Sequence, residues 1–250
     1  MTVWMPQRQR GGDGVATPSA FAQGALAIAS VGTVLAVAAF AQPAPAIALA
    51  GFGFVAALVL AGLRRSGLRA PFGLANTVTL ARSGMIAVLL GFAATTASPE
   101  SPLWWLAVAL AATALLLDGV DGWIARRSGR VTAFGARFDM EVDAAFALVA
   151  ALVLWQADKT GAWVLLVGSL RYLFMLAGFL YAPLRRPLPA SQRRRAVCAL
   201  QGALFCAALA PIVSPMAAAI LVAMALAATA LSFAADLVWL WRRRSEEYKR

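Results

Sequence analysis

Residues 118–143 read DGVDGWIARRSGRVTAFGARFDMEVD, and an apolar run adjoins this stretch at each end. Five of the chain's 11 acidic residues fall within it. Ionised carboxylates are costly beside the hydrocarbon of a membrane, so acidic residues that flank a membrane crossing are candidates for function. The stretch therefore predicts two apolar helices with a group of carboxylates where they meet.

The rest of the chain has the composition of a membrane protein. Of its 250 residues, 62% are hydrophobic and 13% are charged, whereas about 25% are charged in an average soluble domain. Runs long enough to cross a bilayer cover residues 21–40, 46–63, 74–97, 103–124, 138–155, 163–181, 196–213 and 216–241. The predicted fold is all-α and integral to the membrane. Residues 1–70 would hold a mobile N-terminus and two extra transmembrane helices, and residues 71–250 a six-helix transmembrane core.

The net charge of +11 comes almost entirely from arginine. If all eight runs cross the membrane, 20 of the 22 Lys and Arg residues fall on the side of the two termini, Lys159 alone falls opposite, and Arg171 lies mid-segment. This asymmetry follows the positive-inside rule, so it predicts a cytoplasmic membrane face and not a nucleic-acid partner. We expect a multi-pass protein of the bacterial inner membrane with both termini cytoplasmic. Cleavage of the first run as a signal peptide stays open.

The lack of histidine and the placement of the two cysteines exclude several kinds of chemistry. The chain has no histidine, which removes His-based triads, general bases and metal ligands. Its two cysteines, Cys198 and Cys206, lie in one apolar run and form neither a disulfide framework nor a zinc motif. Carboxylates are therefore the leading candidates for chemistry.

The spacing of the aspartates indicates where they point. Asp118 and Asp121 are three residues apart and Asp139 and Asp143 four apart, so each pair shares one helix face, whereas Glu141 points roughly 200° away from Asp139. Two antiparallel helices with a short loop bring the four aspartates together, and divalent cations would relieve their repulsion. Oxygen ligands favour Mg²⁺ or Mn²⁺, and two such cations suit phosphoryl transfer. The alternative is that the aspartates only cap helix ends.

The same residues resemble a known signature. Residues 118–143 match D-x2-D-G-x2-A-R-x8-G-x3-D-x3-D of the CDP-alcohol phosphotransferase family at all eight fixed positions. A shorter stretch, Asn76 to Arg82, is similar to the N-x-x-T-x-x-R motif at the start of that family's first core helix. The chain is therefore identified as resembling an integral-membrane enzyme family.

The resemblance implies a reaction and a set of roles. Such enzymes transfer a phosphatidyl group from a CDP-linked lipid, usually CDP-diacylglycerol, to a small alcohol and release CMP, and they are usually homodimers. By this likeness the two divalent cations, Mg²⁺ or Mn²⁺, would be held by Asp118, Asp121, Asp139 and Asp143. Asp143 would also be the catalytic base. The substrate-binding residues would be Gly122, Arg126 and Thr132 at the cytidine diphosphate, with Asn76 and Thr79 closing the nucleotide site.

The acceptor is less defined by the sequence. Arg171, Arg193 and Arg195 are predicted to bind it, and they suit a phosphorylated alcohol, although positive-inside charge explains the Arg193–Arg195 group equally well. Arg171 has the alternative of pairing with a carboxylate such as Asp236. Relatives that transfer glycerophosphate carry G-K-x-x-T-x-x-Q. This chain keeps Gln201 but has Arg195 and Cys198 in place of the Lys and Thr, which weakens an assignment to glycerol 3-phosphate. Two other functions stay open, a non-catalytic membrane scaffold of the same family and a divalent-cation transporter.

Overall fold

All the regular structure in the described part of the chain is helical. The computed structural model describes Ile28 and residues 43–65, 74–95, 99–127, 132–181 and 191–248. A short 3-10 turn, Ala162–Val164, precedes the fifth of the helices. These helices are α1 (Ala44–Arg65), α2 (Leu74–Ala93), α3 (Trp104–Arg127), α4 (Ala133–Gln156), α5 (Leu165–Leu180), α6 (Gln192–Leu209) and α7 (Pro215–Tyr248). Apart from Ile28, the first predicted run, residues 21–40, lies outside the described residues.

Several of these helices are apolar and long enough to cross a membrane. Within the described residues there are four such spans, Leu74–Ala93, Trp104–Trp123, Ala162–Leu180 and Pro215–Trp241. Helices α4 and α6 have several charged residues within their first three turns and are not among these four spans. The chain is thus a multi-pass helical membrane protein, while the count of six core helices plus two and the division at residue 70 stay predictions.

Helix α2 is surrounded by other helices of the bundle. It packs against α1, α3 and α4, while α6 packs on α7 and also contacts α3 and α4. Leu80, Leu89 and Phe92 of α2 are fully buried. By contrast, Leu116, Phe179 and Trp241 are largely exposed on the outside of the bundle, as side chains that face lipid would be. Four polar residues of α2 are buried as well, Asn76, Thr79, Arg82 and Ser83, whereas Thr77 is exposed.

Two glycines let neighbouring helices approach closely. A Cβ on Gly91 of α2 would lie 2.5 Å from the carbonyl oxygen of Ala44 in α1. A Cβ on Gly168 of α5 would lie 2.4 Å from Cα of Leu148 in α4. Both neighbours are backbone atoms, so these helix pairs depend on the missing side chain.

The carboxyl end of α6 is held by two side chains from other elements. Trp104 Nε1 donates to the carbonyl of Leu209, and Lys159 Nζ donates to that of Ala210 at 2.6 Å. Lys159 is only 3% exposed, and burial lowers the pKa of its amine. A cation at the C-terminal end of a helix satisfies free carbonyls and opposes the helix dipole. The one basic residue that breaks the predicted charge asymmetry thus has a structural contact.

Candidate active site

Four aspartates meet where α3 ends and α4 begins. Asp118 and Asp121 lie in the last turns of α3, and Asp139 and Asp143 in the first turns of α4. Asp121 is buried and the other three side chains are about one-third exposed. One carboxylate oxygen from each of Asp118, Asp121 and Asp139 lies within 4.8 Å of the others, a grouping that could hold a metal ion.

The guanidinium of Arg82, from α2, lies among all four carboxylates. Its side chain is 3% exposed, and its Nε donates to the carbonyl oxygen of Ala114 in α3 at 3.1 Å. The aspartate contacts are Nη1 to Asp121 Oδ2 at 3.1 Å and to Asp139 Oδ1 at 2.7 Å, and Nη2 to Asp118 Oδ1 at 3.0 Å and to Asp143 Oδ1 at 2.6 Å. One buried cation therefore joins both aspartate pairs.

Two further residues of α2 lie on the same face as Arg82. Thr79 Oγ1 is 2.9 Å from Asp121 Oδ2, to which it donates, and 3.0 Å from the carbonyl of Ala75. Asn76 is buried one turn earlier. Because residues three apart share a helix face, the three polar residues of the N-x-x-T-x-x-R match line one side of α2, and Thr79 and Arg82 reach the aspartates.

The start of α4 lies against Asn76. Thr132 is the N-cap of this helix, and its Oγ1 accepts a hydrogen bond from the backbone N–H of Gly135 at 2.9 Å. A Cβ on Gly135 would lie 2.6 Å from Asn76 Oδ1 and 3.1 Å from Thr132 Oγ1. The structure thus brings together Asn76 and Thr132, two of the predicted nucleotide contacts.

The other two predicted nucleotide contacts belong to α3. Gly122 directly follows the buried Asp121 and is partly exposed. Arg126 belongs to the final turn of the helix, and its side chain lies outside the described part of the structure. Gly122 thus lies next to the aspartate cluster, at a position where no side chain covers the backbone.

Arg171 pairs with a carboxylate, as one interpretation of the sequence expected, but its partner is Glu141 and not Asp236. Its Nη2 donates to Glu141 Oε1 at 2.5 Å, and Nη1 is 4.0 Å from Met140 Sδ. Its Nε is buried without a hydrogen-bond partner in the described part of the chain. Glu141, which was expected to point away from Asp139, thus links α4 to α5.

Asp236 instead binds arginines from the first turn of α6. Arg193 Nη2 donates to Asp236 Oδ1, and Arg194 Nη1 donates to the same oxygen at 3.2 Å. Asp236 is buried in α7, whereas Arg195 is exposed. Gln201 Oε1, further along α6, accepts from Thr229 Oγ1 at 2.9 Å. The α6–α7 contact therefore fixes Arg193 and Arg194 and leaves Arg195 at the surface.

Sequence reasoning assigned no chemical role to Arg82, although it contacts every aspartate of the cluster. Two signals were available. Arg82 ends the N-x-x-T-x-x-R match, and an arginine inside an apolar helix is seldom without a partner or a function. Neither signal identified the four carboxylates, because those contacts depend on how α2 crosses α3 and α4.

One comparison with known proteins, that with family models, finds a match that spans the site. The family model for CDP-alcohol phosphatidyltransferase matches residues 72–233, well over half of the chain. The matched region includes the four aspartates, Arg82 and the predicted nucleotide contacts. No curated protein and no solved structure gives a significant match. The resemblance stated from the sequence motifs is thus confirmed.

Proposed function

This chain belongs to the CDP-alcohol phosphatidyltransferase family, and from that premise we propose that it transfers a phosphatidyl group from CDP-diacylglycerol to the hydroxyl of a small alcohol and releases CMP. Family membership implies the transfer from a CDP-alcohol. The observation that carries the proposal is the meeting of Asp118, Asp121, Asp139 and Asp143 around one cation at the α3–α4 junction.

The aspartates suit divalent cations. Their oxygens already surround a positive charge, and three of them offer oxygens within 4.8 Å of one another. A donor set made only of carboxylates favours Mg²⁺ or Mn²⁺. In the proposal, Asp118, Asp121, Asp139 and Asp143 hold two such cations. When bound, these would stabilise negative charge on the phosphate groups that react.

Asp143 is the proposed general base. The acceptor hydroxyl oxygen attacks the phosphorus on the lipid side of the diphosphate, the hydroxyl proton passes to a carboxylate oxygen of Asp143, and the bond from that phosphorus to the oxygen of CMP breaks. Asp143 belongs to the same cluster as the other three aspartates, with its Oδ1 2.6 Å from Arg82 Nη2. Positioned proton transfer of this kind contributes about 10²–10⁴-fold to rate.

The nucleotide part of the substrate is proposed to lie between α2 and the α3–α4 connection. Asn76, Thr79, Gly122, Arg126 and Thr132 would contact the cytidine diphosphate. The support is local geometry: Asn76 adjoins Gly135 and Thr132, and Thr79 binds Asp121. A helix N-terminus such as that of α4 also favours negatively charged groups.

The proposed acceptor is an alcohol that carries a phosphate. Arg193 and Arg194 both bind the carboxylate of Asp236, and Arg195 follows them at the surface. Arg171 retains a buried Nε without a described partner. Arginines suit phosphate because their planar N–H groups match its oxygens. Glycerol 3-phosphate and inositol phosphate are acceptors of this class.

The proposed setting is the bacterial inner membrane, with the aspartates on the cytoplasmic side and the enzyme as a homodimer. The charge asymmetry of the sequence supports the orientation. The exposed apolar side chains of α3, α5 and α7 support contact with lipid.

The test is CMP release by the protein purified in detergent. It is incubated with CDP-diacylglycerol, Mg²⁺ or Mn²⁺, and one acceptor at a time: glycerol 3-phosphate, inositol 1-phosphate, inositol, serine or choline. We expect release with a phosphorylated acceptor. Asp143→Asn should lower turnover about 100-fold or more while CDP-lipid binding persists.

The control is Asp158→Asn, a matched loss of one carboxylate in the turn after α4. Asp158 has a φ of 54°, which asparagine tolerates, so turnover should be unchanged. Full turnover in Asp143→Asn would exclude Asp143 as the base. Binding of CDP-lipid without CMP release from any acceptor would instead support the scaffold alternative.

A further inference from the structure

Among the described residues, Arg82 is the one cation that contacts all four carboxylates, and it comes from a different part of the fold. The aspartates belong to α3 and α4, whereas Arg82 belongs to α2. Buried acidic groups close together repel each other strongly unless a positive charge compensates them. Arginine is protonated at all pH values near neutrality, so its positive charge in this position is permanent. Arg82 therefore stabilises the approach of α3 and α4 without any bound metal ion.

The guanidinium uses oxygens from the very carboxylates proposed as metal ligands. It donates at 2.6–3.1 Å to one oxygen of each of Asp121, Asp139 and Asp143, and it forms an ion pair with Asp118 at 3.0 Å. Asp121 Oδ2 also accepts from Thr79, so that oxygen already has two donors. Divalent cations and a guanidinium compete for such oxygens, because each needs the same lone pairs and the same space.

We propose that Arg82 is a positioning residue that serves as the resident counter-cation of the aspartate cluster and gives up these contacts when divalent cations bind. The proposal rests on the proposed function, in which the four aspartates hold two divalent cations. It makes metal binding an exchange of one cation for others, so that the aspartates stay assembled in either state. It also sets the metal affinity of the site, since each divalent cation must displace Arg82.

The test compares unfolding with and without metal. Wild type and Arg82→Gln, each as the full chain in detergent, are heated in EDTA and in saturating Mn²⁺. In EDTA the variant should unfold at a temperature lower by on the order of 10 °C, because four carboxylates lose their cation. In Mn²⁺ this deficit should shrink to less than half, because Arg82 no longer makes the contacts that the variant lacks.

Mn²⁺ binding gives a second readout that does not depend on activity. Titration followed by the electron paramagnetic resonance signal of free Mn²⁺ should show an affinity tighter by about tenfold or more in Arg82→Gln, because no competing charge remains. Arg82→Lys retains a cation of different shape and should recover part of the stability in EDTA. If Arg82→Gln does not fold in either condition, the same comparison is made with Arg82→Lys.

Arg194→Gln is the matched control, since Arg194 pairs with Asp236. The decrease in its unfolding temperature relative to wild type should be equal in EDTA and in Mn²⁺. A deficit of Arg82→Gln that persists in Mn²⁺, or a weaker Mn²⁺ affinity, would make Arg82 a permanent scaffold and overturn the inference alone. Failure of Mn²⁺ to bind any of these proteins would overturn the proposed metal site as well.

Discussion

Gly135 leaves room for the Asn76 side chain at the start of α4. An added Cβ would lie 2.6 Å from Asn76 Oδ1 and 3.1 Å from Thr132 Oγ1, so Gly135→Ala must displace one of two proposed nucleotide contacts. We expect the KM for CDP-diacylglycerol to rise about tenfold, with a loss of stability of about 1–3 kcal/mol from overpacking. Steady-state kinetics and thermal unfolding measure the two effects.

The control for this change is Gly53→Ala in α1, where nothing lies within 4 Å of the added Cβ. It should leave the KM unchanged and raise the stability by about 0.5–1 kcal/mol, because alanine is favoured over glycine inside a helix. A normal KM in Gly135→Ala would show that Asn76 and Thr132 do not contact the nucleotide.

The directions of the aspartates were predictable because helix geometry is local. Spacings of three and four placed Asp118 with Asp121 and Asp139 with Asp143, and put Glu141 on another side of α4, where it pairs with Arg171. The partners of Asp236 and the contacts of Arg82 were not predictable. They depend on the packing of helices distant in sequence, which residue spacing does not determine.

At the scale of the elements, hydropathy placed the helices but not their ends. The apolar runs predicted 138–155 and 196–213, whereas α4 is Ala133–Gln156 and α6 is Gln192–Leu209. Both helices begin before their apolar runs. Helix α6 opens with Gln192 and three arginines, and α4 opens with a turn that Thr132 caps, followed by Arg137. Helix α6 ends before Pro211, whose ring disfavours a helical residue before it. Charged residues within the first three turns of α4 and α6 include the candidate site residues Asp139, Asp143 and Arg193. A hydropathy criterion therefore misses the ends of these helices that hold them.

The contact between α4 and α5 should be intolerant of any side chain at residue 168. In Gly168→Ala the added Cβ would meet the backbone of Leu148, at 2.4 Å from Cα and 2.7 Å from N, so one helix must move. We expect a loss of about 3 kcal/mol or more, at or above the upper range for overpacking, measured by unfolding in detergent.

Gly202→Ala is the comparison for this change. Its Cβ would meet Leu115 Cδ1 at 2.6 Å, the end of a flexible side chain that can rotate. The loss should be about 1 kcal/mol, at the low end of the overpacking range. Equal losses in the two variants would show that α5 is free to shift on α4.

Lys159 should stabilise the carboxyl end of α6. Lys159→Met keeps the apolar stem but removes the donor to Ala210. Because the Ala210 carbonyl still accepts from Val213 N–H at 3.0 Å, we expect a loss of about 0.5–1.5 kcal/mol, the net contribution of one hydrogen bond. Burial lowers the pKa of the amine from 10.5, so the protonated form is disfavoured in the folded protein. The stability of wild type relative to Lys159→Met should therefore rise with pH toward 10.5 and fall at lower pH. Unfolding of both proteins across pH tests this, and an unchanged difference would contradict it.

At the scale of the whole molecule, the two ends of the bundle differ in chemistry. The junction of α3 with α4 and the start of α6 carry the four aspartates of the cluster together with Arg127, Arg137, Arg193, Arg194 and Arg195. The opposite end has the buried Lys159 beside Trp104 and the end of α6. Charge counting along the sequence predicted this polarity, because a membrane sorts basic residues by side. It did not determine the number of crossings, since the charged residues near the start of α4 and α6 leave these two helices outside the four apolar spans.

This polarity predicts which residues are reachable from each side of the membrane. Glu100, in the turn before α3, and Gln192, at the start of α6, are both exposed and lie at opposite ends of the bundle. In a background with Cys198 and Cys206 replaced by serine, Glu100→Cys should react with a membrane-impermeant maleimide in intact spheroplasts. Gln192→Cys should react only after permeabilisation, because it lies at the end that holds the aspartates. The reverse pattern would place the aspartates on the outer face, away from the cytoplasmic supply of a CDP-linked substrate and a phosphorylated acceptor.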